Sequence, residues 1–249
     1  MKKTIIVLCI LLACFSPVFA GGSKEKTDGY VFAADATWPP LEFVDNGVLT
    51  GFEVELMPMI GEKVGVTMTV KNVPWDTIFA GLANGAYDGV ASGVTVTDDR
   101  KLTMDFSTPI LSAGQVVIIK TPDAATVKGI DDLTGKKIGV QIGTTGDFAL
   151  DDYDVVKRAY DDIGLAIEDM MNGNLDAAVC DSLIASDFVL ANDNYKGKIT
   201  VVGEPFTEED IAIAVKKGNA TLLNLINEGL AKMEADGSLA ALKAKWNIL

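Results

Sequence analysis

Nine consecutive residues, Ser92-Gly93-Val94-Thr95-Val96-Thr97-Asp98-Asp99-Arg100, hold the most suggestive chemistry of this 249-residue chain. Arg100 supplies a planar five-donor fork that fits a carboxylate through two parallel hydrogen bonds. Ser92 and Thr95 add hydroxyls, and Gly93 lets a small molecule come close to the main chain. Residues 89–96 read as a β-rich run that feeds a helix start, with Thr97 as N-cap and Asp98 and Asp99 in the first turn. The first N–H groups of a helix have no partners within it and can hold an anion. Together these groups form a clasp for a small carboxylic acid. The alternative reading is an ordinary capped helix with Arg100 in a surface ion pair.

Gly143-Thr144-Thr145-Gly146-Asp147 opens another helix, through residue 150, and is a second backbone-rich seat for an anion. Other chemistry is excluded by composition. The chain has no histidine, so Ser-His-Asp and Cys-His nucleophile arrangements and the usual zinc sites are absent. Neither a cofactor nor a metal is expected. Of three cysteines, Cys9 and Cys14 lie in the leader, which leaves Cys180 as a lone strand thiol with no internal disulfide.

The elements that must position these residues alternate between strand and helix. Residues 30–34 read as a strand, followed by a turn at Asp35-Ala36-Thr37-Trp38-Pro39-Pro40. Residues 41–52 read as a hairpin about Asn46-Gly47. A helix follows on Phe52, Leu56, Met59, Ile60 and Val64, expected to begin late enough to place Pro58 in its first turn. Residues 66–73 read as a strand and 74–85 as a helix closed by glycine. Further strands are expected at 115–120, 136–142, 175–180, 199–202 and 211–215, with helices at 163–172, 221–236 and 238–246. Such alternation implies βαβ units and largely parallel sheets. Asn84-Gly85-Ala86-Tyr87-Asp88 and Asn172-Gly173-Asn174-Leu175-Asp176 each run from a helix end into a strand, which suggests two similar α/β lobes. Ligands of such sheets sit beyond the strand ends, here between the lobes.

At the N-terminus, Met1-Lys2-Lys3 and the apolar run 5–15 have the form of an export signal. Two processing readings are open. Cleavage after Ala20 makes residues 1–20 a signal peptide, whereas Leu11-Leu12-Ala13-Cys14 is close to a lipobox and would anchor the protein through a lipidated Cys14. Residues 21–29 read as a flexible tether. Losing Lys2 and Lys3 makes the formal net charge of −14 more negative still. So acidic a chain is a poor partner for nucleic acid.

Taken in order, several segments make the chain resemble the bacterial extracellular solute-binding proteins of the polar amino-acid type (family 3), which feed ABC importers. They are residues 34–43, 51–56, 93–101 with Asp105-Phe106-Ser107, 133–140, 143–146 and 176–181. The resemblance implies a two-lobe, hinged α/β fold of the periplasmic-binding-protein type (type II), with the ligand in the inter-lobe cleft. Lobe 1 would comprise 30–111 plus 208–249, and lobe 2 residues 112–207. It implies that Arg100 pairs with the ligand α-carboxylate, helped by the amides of Thr95, Thr144 and Thr145. Asp181 takes the α-ammonium with the Gly93 carbonyl and Thr95 hydroxyl. Trp38 and Trp75 flank the ligand side chain, or alternatively pack in the core. Asp35 and Gln141 lie at the specificity end, and the acidic Asp35 argues for an uncharged polar or basic amino acid. Expected partners are the amino acid and an inner-membrane ABC permease, with the protein periplasmic and monomeric. Two alternatives remain on this fold: a dehydratase of the cyclohexadienyl type, and a ligand-sensing partner of a chemoreceptor or sensor kinase.

Overall fold

The computed structural model describes residues 29–248. The signal peptide, the Cys14 alternative and all of the tether but Gly29 therefore lie outside the described residues. Two five-stranded sheets share one plan. The first runs Met68–Asn72, Tyr30–Ala34, Gly89–Val90, Ala214–Lys216, Met104–Phe106. Its first three strands are parallel, and the returning Ala214–Lys216 is antiparallel to both neighbours. The second runs Val156–Tyr160, Lys137–Gln141, Ala177–Asp181, Gln115–Lys120, Ile199–Val202, again with three parallel strands and an antiparallel remainder. A separate antiparallel pair, Leu111–Ala113 with Glu209–Ile211, joins the two halves.

Local signals account for much of this. Asn46 and Gly47 adopt φ of 49° and 81°, as a two-residue hairpin turn demands, between Glu42–Asp45 and Val48–Thr50. The helix Trp75–Asn84 ends on Gly85 at φ 75°. Asp162 caps Ile163–Met171 by accepting from the Leu165 amide at 2.9 Å. The helix Phe52–Val64 buries Phe52, Leu56, Met57 and Ile60, and Ala220–Ala235 buries Leu222, Ile226, Leu230 and Met233. These two faces pack together. Gly229 permits the approach, since a Cβ there would stand 2.7 Å from the Ile60 side chain.

Several expectations are corrected. Pro58 is not in a first turn: the helix starts at Phe52 and Pro58 lies in its interior, tolerated because it faces solvent. The β-rich run 89–96 is a strand only at Gly89–Val90; the backbone bends at Ser92 and Gly93 and rejoins as one bridge, Thr95 with Ile211. The run 211–215 divides into Glu209–Ile211 and Ala214–Lys216, because Ile211 pairs with the crossing strand and Ala214 with the first sheet. The turn after Ala34 contains a short strand, Thr37–Trp38, paired with Glu42–Asp45. The edge strand Val156–Tyr160 and the helix Ser182–Leu190 had no sequence counterpart.

Candidate functional site

Both segments that run from a helix end into a strand deliver their loops to one cleft. In the first lobe the strand Gly89–Val90 leads to Ser92 and Gly93. Gly93 sits at φ 56°, and a Cβ there would be 3.2 Å from the Trp38 ring, so glycine suits both the turn and the packing. Its N–H donates to Glu53 Oε2 at 2.6 Å. Ser92 Oγ donates to Glu42 Oε1 at 2.8 Å and accepts from the Asp35 amide at 2.9 Å, so this hydroxyl braces the loop from beneath. Glu42 and Glu53 are wholly buried. Burial pushes Glu53 up to about 7, and burial followed by the adjacent Glu53 charge holds Glu42 well above the usual carboxylate range.

Past Thr95 the chain turns into the helix Asp98–Thr103, with Thr97 Oγ1 accepting from the Arg100 amide at 3.2 Å, as the capping pattern predicts. The short helix aims Arg100 across the cleft. Nη1 donates to the Thr95 carbonyl at 2.9 Å and Nη2 to the Gly143 carbonyl of the opposite lobe at 3.5 Å. The guanidinium lies 5.6 Å from the Trp75 ring centroid and 5.1 Å from that of Phe79. Burial lowers its pKa to about 10, which leaves it charged at neutral pH. Its hydrogen bonds go to carbonyls, while Glu209 and Asp181 reach it only through their field. The surface ion pair is therefore not what the structure contains.

The second lobe presents Gln141, Thr144, Thr145 and Asp181. Thr144 caps the helix Thr145–Ala149, accepting from the Asp147 amide at 3.2 Å and donating to the Gln141 carbonyl at 2.8 Å. Its hydroxyl serves the helix start. Gln141 joins the lobes by accepting from Trp38 Nε1 and donating to Asp35 Oδ2, the latter at 3.0 Å. Trp38 and Trp75 lie nearly parallel, at 13° with centroids 6.2 Å apart. Asp35 is buried, and burial raises its pKa. Outside it a cavity of about 520 Å³ is lined by four carboxylates, those of Asp35, Asp76, Asp161 and Asp162, and by no lysine or arginine.

Asp181 ends the strand Ala177–Asp181 at the cleft floor, 3 % exposed, and its Oδ1 has no hydrogen-bond partner. Burial, then the charge of Glu209, raises its pKa to about 7, against the opposing effects of Gln115 and Arg100. Cys180 beside it is a buried free thiol, pushed up by burial. All eleven residues singled out from sequence thus gather at this cleft or brace its walls.

Two more belong to it that sequence reasoning missed. Glu209 accepts from Thr95 Oγ1 and Thr145 Oγ1, each at 2.7 Å. Gln115 Nε2 donates to Glu209 Oε1 at 3.1 Å and to Thr145 Oγ1 at 3.2 Å. Gln115 carried a signal, being the polar head of the buried strand Gln115–Lys120. Glu209 had none, because Glu208-Glu209-Asp210 reads as a solvated acidic run.

Two α/β lobes, doubly connected and closed on a buried cleft with opposite charges on its two walls, define the class of two-lobe solute-binding proteins. The chain belongs to the bacterial extracellular solute-binding proteins, family 3, whose model matches residues 30–248. It is 38 % identical over 228 residues to the L-cystine-binding protein TcyJ of Escherichia coli strain K12, covering 90 % of this chain and 85 % of that one. Among solved structures, an ancestral arginine-binding protein bound to arginine superposes with a TM-score of 0.82 at 36 % identity, covering 88 % of this chain and 98 % of the other. An ancestral amino acid-binding protein that is a precursor of cyclohexadienyl dehydratase gives 0.80 at 33 % identity, covering 88 % and 95 %.

Proposed function

We propose that this protein binds a polar amino acid outside the cytoplasm and delivers it to an ABC permease. The observation that carries the reading is the unpartnered, buried Asp181 oxygen on a carboxylate that lies within the field of Arg100. A zwitterion meets both needs at once. Its α-carboxylate takes the Arg100 fork, with the Thr95 amide and those of Thr144 and Thr145 beside it. Its α-ammonium takes Asp181, the Gly93 carbonyl and the Thr95 hydroxyl. Trp38 and Trp75 flank the side chain, and Asp35 and Gln141 meet its far end.

Because the charges of the ligand sit on different lobes, the ligand favours the closed state over the open one, which is the thermodynamic requirement for a hinge to respond. The lobes comprise residues 30–111 with 208–249, and 112–207. They move as bodies about the crossing strands. Four carboxylates at the outer end of the cleft favour a basic side chain over an uncharged one and oppose aspartate and glutamate. Export with cleavage after Ala20, or anchoring at Cys14, both put the protein where such a permease collects its cargo. It works as a monomer.

A thermal-shift screen of residues 21–249 against the standard amino acids and cystine tests this. A ligand at about 100 times its Kd adds about 2.7 kcal/mol, a rise of a few degrees in Tm. A shift with basic amino acids is expected. Silence from every amino acid, in protein refolded free of carried-over ligand, would reject the reading. The dehydratase alternative, kept alive by its ancestral neighbour, is tested by incubation with prephenate and arogenate. No turnover is expected.

A further inference from the structure

Glu209 lies on the crossing strand Glu209–Ile211, where the chain returns to the first lobe, and it is buried. Its Oε2 accepts from Thr95 of the first lobe and Thr145 of the second, both at 2.7 Å. Its Oε1 accepts from Thr207 Oγ1 at 2.8 Å and Gln115 Nε2 at 3.1 Å. A carboxylate offers about four lone-pair directions, and here all are filled by donors.

The consequence concerns the hydroxyls. A hydroxyl has one proton to give. Thr95 and Thr145 each give theirs to Glu209, although their oxygens lie only 3.3 Å from each other. What Thr95 turns towards the cleft is therefore lone pairs alone, while Thr145, its proton committed in the same way, accepts from Gln115 Nε2 at 3.2 Å. Without that carboxylate either hydroxyl could rotate and present its proton, repelling a donor and welcoming an oxygen instead.

We propose that Glu209 is a positioning residue that fixes the Thr95 and Thr145 hydroxyls as acceptors, so that the subsite beside Asp181 takes an ammonium and rejects a neutral or acceptor group. This rests on the reading of the cleft as an amino-acid site. Glu209 does not itself touch the ligand; it acts from both lobes at once through the two threonines.

The test compares L-arginine with arginine lacking its α-amino group, by calorimetric titration to millimolar concentration. Wild type is expected to prefer L-arginine strongly. Glu209→Gln replaces one acceptor oxygen by a donor and is expected to cut that preference by about tenfold or more, the scale of a hydrogen bond involving a charged group. The affinity for the des-amino compound should change little. Thr95→Val should cut the same preference, and the double substitution no further. Should Glu209→Gln not fold, Glu209→Asp keeps the charge, withdraws the oxygens by one methylene and is expected to show the same loss. A folded variant that weakens both ligands equally, or neither, overturns the proposal, because a merely structural glutamate would not discriminate between them. A wild type that binds neither L-arginine nor any amino acid of the screen removes the reading beneath it, and the proposal with it.

Discussion

Burial raises the pKa of Asp181 to about 7, where an unfolded aspartate titrates near 3.8. Between those values the folded, unliganded protein carries a proton that the unfolded chain lacks, so its stability falls as pH rises from about 4 to about 7. The limit is about 1.4 kcal/mol per pH unit for one group. Asp35, Glu42 and Glu53 are displaced in the same direction and add to the slope. Ligand binding has the opposite sign, because an ammonium needs the ionised carboxylate. Affinity should climb up to about tenfold per unit towards neutrality and then level. Melting curves of free and liganded protein from pH 4 to 8 should therefore diverge with rising pH. Asp181→Asn should flatten the pH dependence of affinity and weaken binding severely; an unchanged profile would remove Asp181 from the ammonium site. Arg100→Ala is expected to cost about 3 kcal/mol or more of binding, on the scale of a buried pair that loses one partner. Arg100→Lys should not restore it, since a point charge lacks the two-pronged fork. Near-native affinity in either Arg100 variant would displace the carboxylate clamp.

Elements differ in how openly they announce themselves, and the difference follows the range of the forces involved. The helix Phe52–Val64 rests on Ala220–Ala235 through Ile60 and Gly229. Ile60→Ala should cost about 2–5 kcal/mol, read as a lower denaturation midpoint, with ligand affinity in native buffer nearly untouched. A loss of affinity without loss of stability would mean that this packing controls the cleft. The Asn46-Gly47 turn, the Thr97 cap and the glycine end at Gly85 were legible because each is decided by a few neighbouring dihedrals. Pro58 misled because only its exposed setting allows it inside a helix. The change of partner between Ile211 and Ala214 leaves no trace in an unbroken apolar run, since both halves are equally buried. The site divides along the same line. Residues beside a bend or cap, such as Gly93, Thr95, Arg100 and Thr144, showed themselves. Glu209 takes its meaning from contacts with Thr95 and Gln115, far away in sequence, and could be read only in three dimensions.

Across the whole molecule the described state is closed: Trp38 and Asp35 meet Gln141, Arg100 meets the Gly143 carbonyl, and Thr95 meets Thr145. Each such bond contributes about 1 kcal/mol net, so closure is a balance that ligand or a single substitution can tip. Unliganded Gln141→Ala should show a larger radius of gyration by small-angle X-ray scattering than unliganded wild type, and ligand should shrink both. Identical scattering from the two unliganded proteins would mean that the bridge has no part in closure. The order of strands has a further consequence, in time. Every strand of the second sheet lies between Gln115 and Val202, whereas the first sheet needs Ala214–Lys216 in its interior, between Gly89–Val90 and Met104–Phe106. The half of the molecule that begins the chain must wait for its end, while the half in the middle can finish alone. Pairings across long sequence separations form slowly, so pulse-labelled hydrogen exchange during refolding should protect amides of Gln115–Lys120 before those of Gly89–Val90. For a member of an extracellular family, a first sheet that stays open until its late central strand is available is a built-in delay.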